Sequence, residues 1–521
     1  MKKDKANPAK ELYRELRLLG REQLWNGEVS RFDRATPRER EERVAVVRAV
    51  GVVFSESGDE AAREKARTWL RGLLHDPCEK IRRYAMAALP KIGAGPGEEA
   101  EMLGLLRTEG GEREKKFLGR ALEKIAGTAT LRELDGSGFD LRTTQKVRAN
   151  VARGQSPSAI RMDGVLGDFT GLRIHLRGRG GLEEIVRDEV NDSPVARRKF
   201  RVTEVRRGLV AIAPLAPFSL ADIYALRCFG TVGFVLGHSS AGHESVESWA
   251  AMITTPLARS LFTTFTTGSI RYRLDFVARG HQRGMVRAIA NQAFAACPDI
   301  LNDARSAPWT VAIYPANEGG CMELSPNLTP DPRLHFRVQD IPAASHPPLA
   351  ACMARLAGKL SDAVVWDPFC GSGLELIERA LLGGVRSVHG TDLSAGAVEI
   401  ARRNFGAAKL WFVQAAFTRC DFREFEKING LGPETVNLVI TNPPMGRRVP
   451  IPDLRGLIEN LLSVAAIVLK PGGKLIFANP VRMDGSPGGL KLRSRRIVDF
   501  GGFDCRLEEY VKLAESGARA R

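Results

Sequence analysis

From about residue 345 onward the chain alternates between short apolar strand cores and helical segments. No other feature restricts its fold as much. The strand cores are AVVWDPF (363–369), SVHGTDL (387–393), KLWFVQA (409–415), VNLVITN (436–442) and GKLIFAN (473–479). Helical stretches such as LELIERALL (374–382) and DLRGLIENLLSVAAIVL (453–469) lie between them. Apolar strands separated by helices belong to a mostly parallel sheet covered on both faces. The expected fold of residues 340–521 is therefore α/β, doubly wound and Rossmann-like. Ligands of such sheets bind outside the carboxyl ends of the strands, so chemistry is expected at those ends.

Three strand ends carry distinctive residues. DPFCGSG (367–373) closes the first strand and opens a helix. Gly371 and Gly373 allow a backbone to approach a ligand closely, and Asp367 can accept from a ligand ammonium. The loop lacks the lysine of GxxxxGK[ST], which argues against an NTP phosphate cradle. Asp392 ends the second strand, where an acid can take both hydroxyls of a ribose. The same residue also suits a helix N-cap beside Ser394. ITNPPMG (440–446) ends the fourth strand. Its two prolines suit either a strand-terminating turn or a loop that holds a substrate amine. An exocyclic base amine is a poor nucleophile, because its lone pair is delocalised into the ring. Its two N–H groups need two acceptors, the Asn442 side-chain oxygen and the Pro443 carbonyl. Holding both turns the lone pair toward an electrophile by orientation and electrostatics alone. Cys370 lies in the Gly loop and no cysteine follows Pro444. That disfavours the covalent thiol chemistry of pyrimidine C5 transfer and leaves Cys370 as a small packed residue.

Together these motifs resemble the class I S-adenosylmethionine-dependent methyltransferases, and more narrowly the THUMP-domain RNA methyltransferases of the guanine-N2 group. DPFCGSGLELIE is close to that family's DPFCGSGTxxIEA, and ASHPPLAACMARLAG (344–358) resembles its upstream segment that packs on the cofactor. The resemblance implies S-adenosyl-L-methionine as cofactor. Asp367, Pro368, Phe369, Gly371 and Gly373 would hold its methionine part, Asp392 its ribose and Leu393 its adenine. Ser345, His346 and Pro347 would close the site from below, although His346 before two prolines also suits a packing residue. Catalysis falls to Asn442, Pro443, Pro444 and Met445, acting on a base flipped from structured RNA, tRNA or rRNA, at guanine N2. Adenine N6, in RNA or DNA, is the alternative amine. A binding scaffold without catalysis is the alternative class. Arg447 and Arg448 suit either RNA phosphates or plain solvation. No metal is implied.

The chain departs from the family at three places. Met445 stands where Tyr or Phe is usual. The acid expected after the third strand is missing, with Ala416 of VQAAF (413–417) in its place and Asp421 as a remote substitute. The chain ends soon after DCRLEEYVKL (504–513), so the last strand of the sheet is expected to be absent.

Upstream, residues 1–135 read as helices. LLHDPCEKIRRYAMAALPKIG (73–93) and EREKKFLGRALEKIAG (112–127) share a weak ending, Ala88-Leu89…Lys91-Ile92-Gly93 against Ala121-Leu122…Lys124-Ile125. This resembles HEAT repeats. So few repeats are expected to dock on the rest of the chain or on a protein partner. Residues 136–167 read as a polar linker. Residues 168–335 read as α+β. LRIHLRGRGGLEEIVRDEV (172–190) gives a strand, a Gly turn and a helix; FRVTEVRRGLVAIAP (200–214) gives two antiparallel strands. YRLDFVARG (272–280) and TVAIYPA (310–316) are strands around the helix GMVRAIANQAFAAC (284–297). This block resembles the family's ferredoxin-like and THUMP region. A net charge of +16 points to a polyanionic partner, most simply nucleic acid. With no apolar run of ~18 residues and no secretory h-region at its start, no membrane span or export is expected. Eight cysteines without a CxxC pair disfavour structural zinc and disulfides, and favour a reducing, cytoplasmic setting.

Overall fold

The structure is a computed structural model of the 521-residue chain. It describes residues 8–55, 59–93, 95–106, 111–133, 139, 141–155, 157–240, 244–278, 280, 282–316, 319–342, 344–446, 451–483 and 488–514. The chain divides into two units, 1–157 and 158–521.

The first unit is helical, as its sequence predicts. Its longer helices are α1 (Pro8–Leu16), α2 (Ala45–Val53), α3 (Glu60–Gly72), α4 (Glu79–Ala88), α5 (Pro96–Leu106), α6 (Glu112–Ile125) and α7 (Leu141–Gln155). Helices α1, α2, α4, α6 and α7 pack each against the next in one layer. The apolar stripe of α4 explains its place: Ile81, Ala85, Met86 and Ala88 recur at helical spacing and are all buried. Gly51 of α2 faces Ala88, and a Cβ added there would stand 2.7 Å from the Ala88 Cβ, so a side chain on Gly51 would force the two helices apart. Helix α7 corrects the predicted linker. It is anchored by buried Val147 and Val151 against α6, and two apolar anchors in a polar stretch are too few to show as a period.

The second unit holds two large sheets that share a hydrophobic core, together with two short two-stranded ladders, Ser158–Ile160 with Thr266–Gly268 and Val165–Leu166 with Phe218–Ser219. The upstream sheet is built from β1 (Ile174–Arg177), β2 (Phe200–Arg206), β3 (Leu209–Pro214), β4 (Thr231–Ser240), β5 (Ile270–Phe276), β6 (Ile300–Asn302), β7 (Trp309–Ala316) and β8 (Gly319–Pro326). Their order is β6-β5-β7-β8-β4-β1-β3-β2. Helices α8 (Glu183–Asp192) and α9 (Arg283–Ala296) belong to this part.

The downstream sheet comprises β9 (Ala363–Asp367), β10 (Val385–Asp392), β11 (Gln414–Arg419), β12 (Val436–Thr441), β13 (Leu469–Asn479), β14 (Leu490–Asp499) and β15 (Asp504–Lys512), with α10 (Pro347–Leu356), α11 (Leu374–Leu381), α12 (Ala395–Ala407) and α13 (Leu454–Val468). The order is β11-β10-β9-β12-β13-β15-β14. Strands β9 to β13 run parallel, and β15 is antiparallel to both its neighbours. The order reverses between β9 and β12, which makes their carboxyl ends the switch point where a ligand crevice forms. Two expectations fall here. The sheet does not lack its last strand, because β14 and β15 complete it. The third strand lies at 414–419, not 409–415.

The two sheets are locked together by polar contacts as well as by the shared core. The Arg227 guanidinium forks onto Glu378 of α11 at 2.6 and 2.7 Å. The Asp499 amide of β14 donates to the Gly180 carbonyl at 2.9 Å. Gly181 (φ +96°) passes so close to β14 that a Cβ would lie 2.0 Å from the Ile497 carbonyl. Among the described residues no helix is long and apolar enough to cross a membrane.

Candidate active site

The switch point brings together the ends of β9, β10 and β12. Asp367 closes β9 and is fully buried. Its Oδ1 accepts from the Phe369 amide at 3.0 Å and from the Thr441 hydroxyl at 2.6 Å. Its Oδ2 has no partner. Burial drives this carboxyl well above the usual carboxylate range, and the nearby Glu375 charge adds to the effect. A cation brought to Oδ2 would offset both penalties. Thr441 thereby ties the first motif to the third, since it immediately precedes Asn442.

Gly371 (φ +50°) and Gly373 (φ +80°) shape the turn between β9 and α11. Gly373 is the N-cap of α11, and a Cβ there would press on Ala401 of α12 at 3.2 Å. The Gly371 amide donates to Asp392 Oδ2 at 3.1 Å, so the first and second motifs are joined directly. The other Asp392 oxygen accepts from the Ser394 amide at 2.9 Å. Ser394, not Asp392, caps α12, by accepting from the Ala397 amide. Leu393 is 67% exposed, so it forms an open wall beside Asp392. Pro368 is buried, and the Phe369 ring rests on Phe422 at 4.9 Å. Burial raises the Cys370 thiol well above its usual range, so it is no thiolate nucleophile.

At the end of β12 the Asn442 amide is oriented from one side only. Its Nδ2 donates to Ser345 Oγ at 2.8 Å, and Ser345 Oγ donates in turn to buried Glu375. The Asn442 Oδ1 is shielded from solvent and has no partner. Among the described residues nothing donates to the Pro443 carbonyl. Pro443 is buried, while Pro444 and Met445 are half-buried. Arg447 and Arg448 lie outside the described residues.

Two expected cofactor neighbours stand elsewhere. His346 and Pro347 line a cavity of about 210 Å³ with Arg227, Arg333 and Glu378, against the upstream sheet. Burial, with Arg179 as the largest of the nearby charges, holds the His346 imidazole down to about 4. It is a packed neutral residue at the N-cap of α10. The missing acid is also corrected. Because β11 ends at Arg419, Ala416 lies within the strand opposite His389, and Asp421 is the acid that follows. It accepts from the Arg423 Nε at 2.9 Å, which holds its carboxyl below the usual range.

Thr441 and Glu375 escaped the sequence reading, as did the hydrogen bonds that join Ser345 to Asn442 and Glu375. Their partners are distant in sequence or sit on a different element, so no local spacing exposes them. Among the described residues, His175, Cys321 and Glu323 offer ligand atoms within 4.8 Å of one another, the spacing a metal ion needs. Arg177 already bonds both Glu323 oxygens, which leaves that carboxylate neutralised.

Comparison with known proteins adds to this geometry. Residues 335–485 match the family model described as RMKL-like, methyltransferase domain. The chain is 30% identical over 153 residues to a tRNA (guanine(10)-N2)-dimethyltransferase of Methanocaldococcus jannaschii, covering 29% of this chain and 42% of that protein. It is 32% identical over 154 residues to the protein of the same description from Methanothermobacter thermautotrophicus, covering 29% and 43%. The matched segment thus spans less than half the length of these relatives. TrmN from Thermus thermophilus superposes with a TM-score of 0.51 at 21% identity, over 66% of this chain and 100% of that one, a likeness of fold. The matched segment contains the Gly loop, Asp392 and the Asn-Pro-Pro loop, so the residues that carry the site lie within the part of the chain that is similar to an RMKL-like methyltransferase domain.

Proposed function

We propose that the chain methylates the exocyclic N2 amine of guanine in tRNA, using S-adenosyl-L-methionine. One observation carries this reading: the unpaired, shielded Asn442 Oδ1 at the end of β12, next to the unpaired Asp367 Oδ2 at the end of β9. A buried polar atom without a partner is costly, and each of these is matched by a group of the proposed ligands. The cofactor ammonium suits Asp367 Oδ2, and its ribose hydroxyls suit Asp392. The base amine suits Asn442 Oδ1 and the Pro443 carbonyl. When bound, the cofactor supplies an electrophilic sulfonium methyl. Asn442 and Pro443 hold both amine N–H groups, turn the nitrogen lone pair out of conjugation and carry the positive charge that develops on the amine. Ser345 fixes the Asn442 amide so that its oxygen, not its nitrogen, faces the substrate. Met445 offers a soft, polarizable face for the flipped base.

The names of the two curated relatives support guanine N2 and tRNA over adenine. In the same reading the upstream sheet is the ferredoxin-like and THUMP-like part that grips folded RNA, the first unit is HEAT-like, and Arg447 and Arg448 meet phosphates near the target. The activity is tested by mass spectrometry of nucleosides from RNA incubated with the protein and the cofactor. N2-methylguanosine is expected with the wild type. Asn442→Ala should cut kcat by about 10²–10³-fold, as loss of one preorganised hydrogen-bonding group does, and leave the cofactor Kd within about twofold by calorimetry. Full turnover by Asn442→Ala would remove the proposed mechanism.

A further inference from the structure

Many arginines of the helical unit are spent on carboxylates. Arg40 meets Asp76 at 2.7 Å, Arg63 meets Glu60 at 2.9 Å, and Arg82 meets Glu114 at 2.5 Å. One row differs. Arg17, beside the end of α1, lies over the Tyr13 ring at 5.7 Å, and Arg48 of α2 lies over the same ring at 4.1 Å. Arg48 also reaches the Tyr84 ring of α4 at 5.7 Å. Tyr84 stands 6.2 Å from Phe117 of α6, and Arg120 lies over Phe117 at 5.9 Å. Among the described residues none of these three arginines has a carboxylate partner. Lys91 and Lys124 are exposed close by and likewise unpaired. Partial desolvation holds the Lys91 ammonium below its usual range, and the Lys124, Arg48 and Arg17 charges add to this, so the cations crowd one surface.

We infer that this row, Arg17–Tyr13–Arg48–Tyr84–Phe117–Arg120, is a second nucleic-acid surface that binds the phosphate backbone of RNA. The rings hold the guanidinium planes by their faces, which orders them and leaves N–H edges outward for phosphate oxygens. The row crosses four successive helices. At 8–10 Å per helix spacing it runs about 24–30 Å, a length that meets several phosphates of one strand. Uncompensated positive charge along such a line fits a regularly spaced polyanion. An acidic protein patch would have to match each cation separately. The backbone contact stands on the helical unit alone; the choice of RNA over DNA rests on the catalytic reading above.

The test uses the full chain and fluorescein-labelled bulk tRNA, with anisotropy read between 50 and 200 mM KCl. The triple variant Arg17→Gln/Arg48→Gln/Arg120→Gln should bind about tenfold more weakly or worse. Its slope of log K against log salt should fall in magnitude by about 2–3, the share of three phosphate contacts. Arg63→Gln, which removes a paired arginine, should bind within about twofold of wild type. A triple variant with wild-type circular dichroism, affinity and slope would overturn the inference. A second measurement needs no variant: 4-thiouridine RNA is photocross-linked to the wild-type chain and the peptides are mapped. Cross-links at Tyr13, Tyr84 or Phe117 support the surface, and cross-links confined to residues 158–521 overturn it. A DNA duplex that competes as well as RNA of equal length overturns the assignment to RNA. Because binding is read without the cofactor, a failed methylation assay leaves these outcomes unchanged.

Discussion

Two carboxylates in the second unit are equally buried and opposite in character. Glu323 of β8, in the upstream sheet, is fully enclosed. Its oxygens are taken by the Arg177 fork, with Nε to Oε2 at 2.8 Å, and by His175 Nδ1 at 2.6 Å. Burial pushes its carboxyl up, but Arg177 and His175 overcome that push and hold it below the usual range. Gly233 of β4 makes room for it, since a Cβ there would lie 2.2 Å from Oε2. Asp367 of β9 is as deep, yet one of its oxygens is empty and its carboxyl is driven well up. The first is a charge completed by its own fold. The second is left open by its own fold. A buried acid is therefore read by its unfilled valences, not by its depth.

The largest expected effect comes from breaking the completed site. Arg177→Ala leaves Glu323 with only His175 and the weak Cys321 thiol donor in a closed interior. Removing one partner of a buried pair costs about 3–5 kcal/mol, and urea unfolding of the full chain at pH 7 should show a loss of that order. The loss should shrink below pH 4.5, the ordinary glutamate value. A folded pKa held below the unfolded one gives stability that is present above 4.5 and fades as pH falls through the folded value. A variant as stable as wild type would erase the contrast with Asp367.

The complementary change is Asp367→Asn, which keeps the shape and removes the charge. Here the sign reverses. A folded pKa raised above the ordinary 3.8 means that stability is fully present below 3.8 and is lost as pH rises through the folded value. Wild type should thus lose stability with rising pH through this group, and the variant should not. At pH 7 the variant should be as stable as wild type or more so, while its affinity for S-adenosyl-L-methionine falls by about 1–3 kcal/mol, the cost of a lost charged hydrogen bond. Unfolding curves at pH 5 and pH 8, with calorimetry at pH 7, measure both. A loss of stability together with unchanged affinity would make Asp367 another Glu323.

The sequence exposed these two acids unequally, and the reason is topological. Alternation places strand ends, so Asp367, Asp392 and Asn442 stood out as polar residues after apolar runs. Glu323 sits inside a strand, and its partners come from 146 and 148 residues away, with nothing local to mark them. The same logic explains the misplaced third strand. Leu410, Trp411, Phe412 and Val413 read as a strand core, yet Trp411 is 79% and Phe412 70% exposed. The true strand, QAAFTR, lies at the edge of the sheet and buries only Phe417 within the strand. Edge strands need little apolar sequence, and the slip moved the following acid from Asp421 to Ala416. Strand β14, with alternating charged residues in LKLRSRRIVD, was hidden for the same reason.

The smallest effect tests how the unfilled valences are aimed. Ser345 joins Asn442 to Glu375, and among the described residues it alone restrains which way the amide points. Ser345→Ala removes one hydrogen bond, worth about 1 kcal/mol, without touching Asn442 Oδ1. The amide can then turn its nitrogen toward the substrate, a wrong orientation that cannot accept an N–H. Turnover should fall by about fivefold to tenfold at saturating RNA and cofactor, while the cofactor Kd and the urea midpoint stay close to wild type. Ser345→Thr keeps the hydroxyl and should restore most of the rate. A drop in cofactor affinity with kcat preserved would return Ser345 to the role its sequence position suggested, a wall of the cofactor site, and would leave Asn442 to be oriented by the substrate itself.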